Sequence, residues 1–320
     1  MEKKLITVIV PCYNEQEVLP LFHEEILRVS DEMTENHPYL EFEFLFINDG
    51  SRDKTLDILR EYSEQDSRFR YVSFSRNFGK EAAMLAGLEN SRGDYVVIMD
   101  ADLQHPPKLM PEMYEYVSSG EYDCAGTRRV SRKGEPKLLS FFARSFYKVI
   151  NKISQTQIVD GAQDYRFMTR QMVNAILDMP EYNRFSKGIF SWVGFRTKYI
   201  EVENTERAAG KTTWNFWKLF MYSLEGIMAF STAPLALSFV IAMLLFILAI
   251  VFIILAIVNS AEYLAVISIV CIVGGLNLFC MGIQSQYIAK TYMEVKDRPR
   301  YIIGETEEIY RKRKEISSIP

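Results

Sequence analysis

Over roughly the first two-thirds of the chain, short apolar runs alternate with stretches in which apolar residues recur every three or four positions. Leu5–Val10, Glu41–Ile47, Arg70–Phe74, Tyr95–Met99 and Asp123–Thr127 read as strands. Glu15–Thr34, Asp53–Ser63, Gly79–Asn90 and Pro107–Ser119 read as helices. This alternation predicts an α/β fold with a mostly parallel sheet covered on both faces. In such sheets ligands bind beyond the carboxyl ends of the strands.

The pattern changes near residue 230. Between Gly226 and Ala261 there is no Lys, Arg, Asp or Glu, and none between Tyr263 and Ala289; only Glu262 intervenes. A membrane-spanning helix needs about 20 mostly apolar residues. Residues 235–258 and 264–288 meet that requirement, and the Asn259–Tyr263 link permits only a tight hairpin. Gly274, Gly275 and Gly282 would let the two helices approach closely, with Asn277 and Gln284 facing the partner. The link carries no Lys or Arg, whereas Lys290, Lys296, Arg298 and Arg300 follow the second span. Positive flanks stay cytoplasmic, which places both the N-terminal part and the tail there. Leu5–Val10 is too short for the apolar region of a signal peptide. The organisation expected is a cytoplasmic domain over 1–229, two spans within 230–289 and a cytoplasmic tail over 290–320.

Composition alone hides this division: the 320 residues are 48% hydrophobic and 24% charged, with a formal charge of −4. Length and four cysteines exclude a small disulfide scaffold. No metal spacing links the cysteines, so all four are expected as free thiols. Charge is polarised along the chain. Residues 1–66 hold six basic and sixteen acidic side chains, and residues 126–153 hold eight basic ones against Glu135 alone. On a helix over 136–153, Lys137, Arg144, Lys148 and Lys152 form one stripe and Leu138, Phe142, Phe146, Val149 and Ile153 another. That is the pattern of an interfacial helix facing anionic lipid. Trp214, Phe216, Trp217 and Phe220 open a second such helix over 212–229. The adjoining spans and the acidic N-terminal third argue against nucleic acid as the partner of the basic patch.

Polar motifs follow the strands: Pro11-Cys12-Tyr13-Asn14-Glu15, Asn48-Asp49-Gly50-Ser51, Arg76-Asn77-Phe78-Gly79-Lys80, Asp100-Ala101-Asp102-Leu103-Gln104 and Gly126-Thr127-Arg128-Arg129. No GxGxxG follows a strand and no GxxxxGK[ST] occurs, which disfavours a dinucleotide dehydrogenase and a P-loop nucleotidase. Asp100 and Asp102 carry the sharpest signal. Two carboxylates at i and i+2 on a strand end can address one hard cation, and Gln104 adds a neutral oxygen. An isolated pair of this kind could equally be a solvated turn. Its place among four other polar strand ends favours the cation.

Taken together, PCYNE, NDGSRD, RNFGKEAAMLAGL, MDADLQHPP, RFSKG, WVGF and ERAAGKTTW resemble the family 2 inverting glycosyltransferases of GT-A fold. The two spans and the terminal KDRPRY are similar, more narrowly, to the polyprenyl-phosphate glycosyltransferases. That group includes bactoprenol glucosyltransferases, dolichol-phosphate mannose synthases and undecaprenyl-phosphate aminoarabinose transferases. One departure is His105, where related sequences often carry Asp.

The resemblance implies a Rossmann-like GT-A domain in which Pro11, Tyr13, Glu15 and Asp49 contact base and ribose, with Lys80 near the nucleotide. It implies that Asp102 and Gln104 bind Mg2+ or Mn2+ bridging the diphosphate, with Asp100 facing ribose, metal or both. Arg128, Arg144 and Arg207 would grip the acceptor phosphate, with Lys211 or Thr212 close by. Asp164 would be the catalytic cleft carboxylate, as general base or by orienting the acceptor, with its neighbour Asp160 as the alternative. The expected reaction moves glucose from UDP-glucose to undecaprenyl phosphate at the cytoplasmic face of a bacterial plasma membrane. N-acetylglucosamine, or mannose from GDP-mannose, is the alternative donor sugar. A homo-oligomer such as a tetramer is implied as well. A processive polysaccharide synthase would need more spans and a QxxRW motif. A non-catalytic scaffold would not need Asp100, Asp102 and Gln104 intact.

Overall fold

The computed structural model describes residues 2–104, 106–130, 151–152, 156–202, 227–228, 231, 233–259 and 263–317. In chain order the elements are β1 (Lys4–Cys12), α1 (Leu19–Asn36), β2 (Leu40–Asn48), α2 (Thr55–Gln65), β3 (Phe69–Phe74), α3 (Lys80–Asn90), β4 (Tyr95–Ile98), α4 (Met110–Ser118) and β5 (Cys124–Arg129). They continue with β6 (Ala162–Thr169), α5 (Arg170–Leu177), α6 (Ser186–Trp192), β7 (Thr197–Val202), α7 (Ala233–Asn259), α8 (Tyr263–Val295), β8 (Ile303–Thr306) and α9 (Glu307–Ser317).

The strands form one sheet in the order β7-β5-β6-β4-β1-β2-β3-β8. Strand side chains alternate between the two faces, so each strand feeds two cores. On one face Ile6, Val8 and Val10 of β1 join Phe44, Phe46 and Phe69, with Phe22 and Ile26 of α1 and Met113 of α4. On the other, Ile9 joins Leu45, Ile47, Val96 and Ile98, with Ala83 and Met84 of α3 and Met172 and Val173 of α5. Helix α3 lies so close to β1 that a Cβ on Gly87 would stand 2.2 Å from the Ile9 side chain. That approach sets the height of α3, and hence of its first turn, over the strand ends.

The sheet is mixed rather than mostly parallel. β1–β2, β1–β4, β2–β3 and β5–β7 pair parallel, whereas β4–β6, β5–β6 and β3–β8 pair antiparallel. The antiparallel β6 sits between β4 and β5, and its register places Arg166 opposite Ile98 and Gly126. Gln163, Asp164 and Arg166 crowd the first part of β6 with polar groups, so its pattern does not announce a strand.

The tail returns to the same chain. β8 adds to the edge of the sheet beside β3, and buried ion pairs fix it there. Arg60 clasps Glu305 through two bonds of 2.8 and 2.9 Å, and the Tyr71 hydroxyl donates to Glu305 at 2.9 Å. Arg70 bridges Glu307 at 2.8 Å and Glu43 at 2.7 Å.

α7 and α8 run antiparallel: Tyr287 donates to the Ser231 carbonyl at 2.6 Å, and Cys280 lies 3.8 Å from the Ser238 carbonyl. Among the described residues no helix is long and apolar enough to cross a membrane. The side chains of residues 252–265 and several others in the two helices lie outside that description. The helices nevertheless expose a run of large apolar side chains, among them Leu244, Ile247, Val270, Leu278 and Phe279. Cys12, Cys124 and Cys280 are free thiols, as expected.

Candidate active site at the strand ends

The carboxyl ends of β1, β2 and β4 converge on one edge, and the first two polar loops lock together there. The Asn14 N–H donates to Ser51 Oγ at 3.0 Å, and the Arg52 N–H to Asn14 Oδ1 at 2.9 Å. The Glu15 N–H donates to Thr55 Oγ1 at 2.9 Å, the Gln16 N–H to Asp53 at 3.2 Å, and the Lys54 N–H to Gln16 Oε1 at 3.0 Å. Backbone groups that no ladder could satisfy are thereby paired across loops. Tyr13 is left projecting from this platform, 42% exposed, with Pro11 at the end of β1 and Glu15 half-buried beneath.

Asp49 is buried and shapes the neighbouring loop. Its carboxylate accepts the Phe78 N–H at 2.6 Å, the Gly79 N–H at 2.9 Å and the Asn77 side-chain amide at 2.9 Å. Burial pushes its pKa up, against the pull of those two backbone donors. Gly50 follows at φ +64, and a Cβ there would lie 2.3 Å from the Arg76 carbonyl carbon. Only glycine lets the second and third loops pack this closely.

The third loop delivers Lys80 as the first residue of α3. Its Nζ lies 2.8 Å from Asp100 and 2.8 Å from Asp164. One ammonium thus joins the end of β4 to the middle of β6. Burial opposes its charge, but the two carboxylates outweigh that and hold its pKa above the ordinary lysine value. The side chain is 42% exposed, so the attraction of the carboxylates decides its state.

The turn after β4 carries the remaining acids. Leu103 has φ 57, a left-handed conformation that a branched side chain adopts only at a cost of order 1 kcal/mol. The turn folds back so that Asp102 Oδ1 accepts the Gln104 N–H at 3.1 Å. Asp100, Asp102 and Gln104 therefore sit on one tight turn, and Asp100 meets the Lys80 ammonium there. Among the described residues, no group of three His, Cys, Asp or Glu side chains is placed to hold a metal by itself. Two carboxylates and an amide oxygen suit a hard cation whose other ligands come from substrate phosphates.

Arg128, near the end of β5, pairs with Glu201 of β7. Arg144, Arg207, Lys211 and Thr212 lie outside the described residues, as do His105 and nearly all of the helices read over 136–153 and 212–229. The structure thus brings Lys80, Asp100 and Asp164 together beside Asp102 and Gln104, and sets Pro11, Tyr13, Glu15 and Asp49 on the adjoining wall.

Two residues at the site escape a reading of the sequence. Glu81, beside Lys80, accepts the Ser186 N–H at 3.1–3.2 Å and its hydroxyl. Burial raises its pKa to about 7, aided by the nearby Asp164 and opposed by Ser186 and Lys80. Ser186 lies within the quoted RFSKG motif, but its partner stands 105 residues away and no local pattern joins them. Arg166 is fully buried two residues beyond Asp164, its guanidinium 4.6 Å from the Phe190 ring centre and 5.6 Å from that of Tyr199. The rings offset part of the cost of burying that charge.

Residues 7–177 match the family described as Glycosyl transferase family 2. The chain belongs to this family. It is a glycosyltransferase, and the α/β domain with a mixed, GT-A-like sheet is the body of the enzyme. CsbB of Bacillus subtilis (strain 168) is 41% identical over 312 residues, covering 95% of this chain and 93% of its own length. The bactoprenol glucosyl transferase of Shigella phage SfX is 39% identical over 305 residues, covering 93% and 98%. The prophage bactoprenol glucosyl transferase homolog of Escherichia coli (strain K12) shows the same identity and coverage. Among solved structures, glucosyl-3-phosphoglycerate synthase from Mycobacterium tuberculosis with Mn2+, UDP and phosphoglyceric acid superposes with a TM-score of 0.46 at 18% identity. That superposition covers 70% of this chain and 76% of the other.

Proposed function

We propose that this glycosyltransferase moves glucose from UDP-glucose, with inversion, to the phosphate of undecaprenyl phosphate at the cytoplasmic face of a bacterial membrane. The observation that carries this reading is the Lys80 ammonium, 2.8 Å from both Asp100 and Asp164, which the reading assigns to the nucleotide and the acceptor respectively. Glucose and a polyprenyl acceptor are supported by relatives named bactoprenol glucosyl transferase that match 93% of the chain.

In this reading Tyr13 offers a face for stacking the base, and Pro11 and Glu15 line the nucleoside pocket. Asp49 acts through the loop it organises. Asp102 and Gln104 would hold Mg2+ or Mn2+, with Asp100 facing ribose, metal or both. That Asp100 already attracts an ammonium supports a cation there. A divalent metal held there would supply neutralisation of the charge that develops on the diphosphate leaving group.

The acceptor chemistry falls to the chain itself. A phosphate oxygen of the lipid forms a bond to the glucose C1 as the bond from C1 to the β-phosphate oxygen breaks. UDP departs with that electron pair, and the anomeric configuration inverts. The second pKa of a phosphate monoester is about 6, so the attacking dianion exists at neutral pH without a base. Asp164 and Lys80 therefore act mainly by placing the phosphate for in-line attack. Arg128, Arg144, Arg207, Lys211 and Thr212 receive its charge, a task that suits the fork of arginine.

α7 and α8 complete the proposal as a transmembrane hairpin. Their 27 and 33 residues correspond to about 40 and 50 Å of helix, against a hydrocarbon core of about 30 Å. Their antiparallel packing, and the return of the tail into the sheet, bring the chain back to the domain it left. Both ends of the hairpin then share one side of the membrane. A homo-oligomer belongs to the same reading.

The test is Asp102→Asn in the full-length chain. It should lower metal-dependent glucose transfer by about 100-fold or more while leaving the thermal midpoint in detergent unchanged. Transfer at the wild-type rate contradicts the mechanism.

A further inference from the structure

The loop between α5 and α6 is held from two directions. At the end of α8, the Glu294 carboxylate accepts the Tyr182 N–H at 2.9 and 3.0 Å and the Asn183 N–H at 3.3 Å. Arg300, just beyond α8, donates to the Pro180 carbonyl. On the other side, Glu81 in the first turn of α3 accepts the Ser186 N–H and hydroxyl. Between these anchors the Arg184 guanidinium turns back onto the carbonyls of Met179 at 2.9 Å and Ile176 at 3.3 Å. One short segment thus spans from the end of the C-terminal helix pair to the helix turn that bears Lys80.

The two anchors differ in setting: the Glu294 contacts are exposed, whereas the Glu81 contact is partly buried. Ser186 is 6% exposed, so the Glu81 carboxylate meets it away from bulk water. A carboxylate in such a place costs free energy that an apolar residue would not, and only hydrogen bonds to it offset the cost. Two of its donors come from the one residue that starts α6. At the far end both loop amides converge on one carboxylate, an arrangement that moves the loop with α8.

We propose that Glu81 is a positioning residue: it ties the first turn of α3, and so the reach of Lys80 toward Asp100 and Asp164, to the seating of α8 on the catalytic domain. Glu294 sets the loop, the loop sets Ser186, and Ser186 fixes Glu81. The inference rests on the reading of Lys80, Asp100 and Asp164 as the reacting set. It adds that the cleft is correctly formed only when the C-terminal helix pair is docked, which keeps sugar transfer matched to the position of the membrane-side element.

The experiment uses full-length chains carrying Glu81→Ala, Glu81→Gln, Glu294→Ala, or Glu81→Ala with Glu294→Ala. Glu294 is exposed, so its loss leaves the core filled. Amide hydrogen exchange needs no substrate. Glu294→Ala should speed exchange about tenfold at Tyr182 and Asn183, and also at Ser186, Ala83 and Met84. In glucose transfer to undecaprenyl phosphate, Glu81→Ala and Glu294→Ala should each lower kcat about tenfold, with the KM for UDP-glucose within about twofold of wild type. The double variant should be no slower than the slower single one, and Glu81→Gln, which keeps an acceptor for Ser186, should recover part of the loss. Faster exchange confined to Tyr182 and Asn183, or fully multiplicative losses in kcat, overturns the coupling. A wild-type chain that transfers no glucose while the exchange pattern holds contradicts the donor reading instead, and leaves the coupling supported.

Discussion

Lys80 and Glu81 are neighbours in sequence with opposite electrostatic settings. Lys80 gains two carboxylates and keeps its charge, whereas burial, with Asp164 nearby, lifts Glu81 to about 7 so that it ionises only around neutral pH. The sign of the consequence follows. The folded Glu81 carboxyl titrates at about 7 against an ordinary 4.5, so between those values the folded state holds a proton that the unfolded chain has lost. Stability from this group is therefore complete below about pH 4.5 and declines as pH rises toward 7, by on the order of 2–3 kcal/mol. The groups that face it are Lys80 on its own helix, Asp164 on β6, Ser186 on α6 and the field of Arg184. Thermal midpoints of Glu81→Gln between pH 5 and 8 should lack the part of the slope that wild type owes to this carboxyl. An unchanged slope would mean that Glu81 is ionised throughout. At this scale the polar turn that carries Asp100, Asp102 and Gln104 was legible in the sequence, because it lies within five consecutive residues. Glu81 was not, because a glutamate in a first helical turn reads as a favourable charge at the helix start.

Among the elements, the first five strands were legible to within a few residues. Each is a largely apolar stretch closed by a polar motif, and for β1 to β4 burial on both faces of the parallel part of the sheet produces that signature. β6 was lost because its cleft-facing Asp164 and buried Arg166 interrupt the run. β8 was lost for another reason: Ile303–Thr306 is four residues long, and what holds it is distant in sequence. Arg60 is 245 positions from Glu305, and Arg70 is 237 from Glu307. These pairs also carry a prediction. Burial would raise the Glu305 pKa, but Arg60 and the Tyr71 hydroxyl bring it below the ordinary carboxylate value. Its contribution is therefore present above about pH 4.5 and lost as pH falls below it. Glu305→Ala leaves a partly buried Arg60 without its main partner and should cost about 3 kcal/mol. Limited proteolysis near neutral pH should then cut the variant ahead of β8 faster than wild type. Equal rates would show that the strand is held by its ladder alone.

For the whole molecule, the sequence pattern divides the chain into a catalytic domain, an uncharged pair of helices and a tail. The structure adds how the parts are joined. The tail does not trail away but closes the edge of the sheet, and Glu294 at the end of α8 holds the loop that reaches the cleft. Such joints were invisible in the sequence because they are single contacts between distant residues with no periodicity. The family, by contrast, was plain from the order of its motifs, since each strand end contributes its own short signature to one cleft.

Transfer by the purified full-length chain, reconstituted with undecaprenyl phosphate and Mg2+ or Mn2+, tests the central claim most directly. UDP-glucose, UDP-N-acetylglucosamine and GDP-mannose are offered separately, and the lipid product is analysed for sugar and anomeric configuration. The account predicts a glucosyl-phosphoryl lipid of inverted configuration from UDP-glucose, abolished by chelation of the metal. Transfer from another donor alone, retention of configuration, or no lipid product from any donor would contradict it.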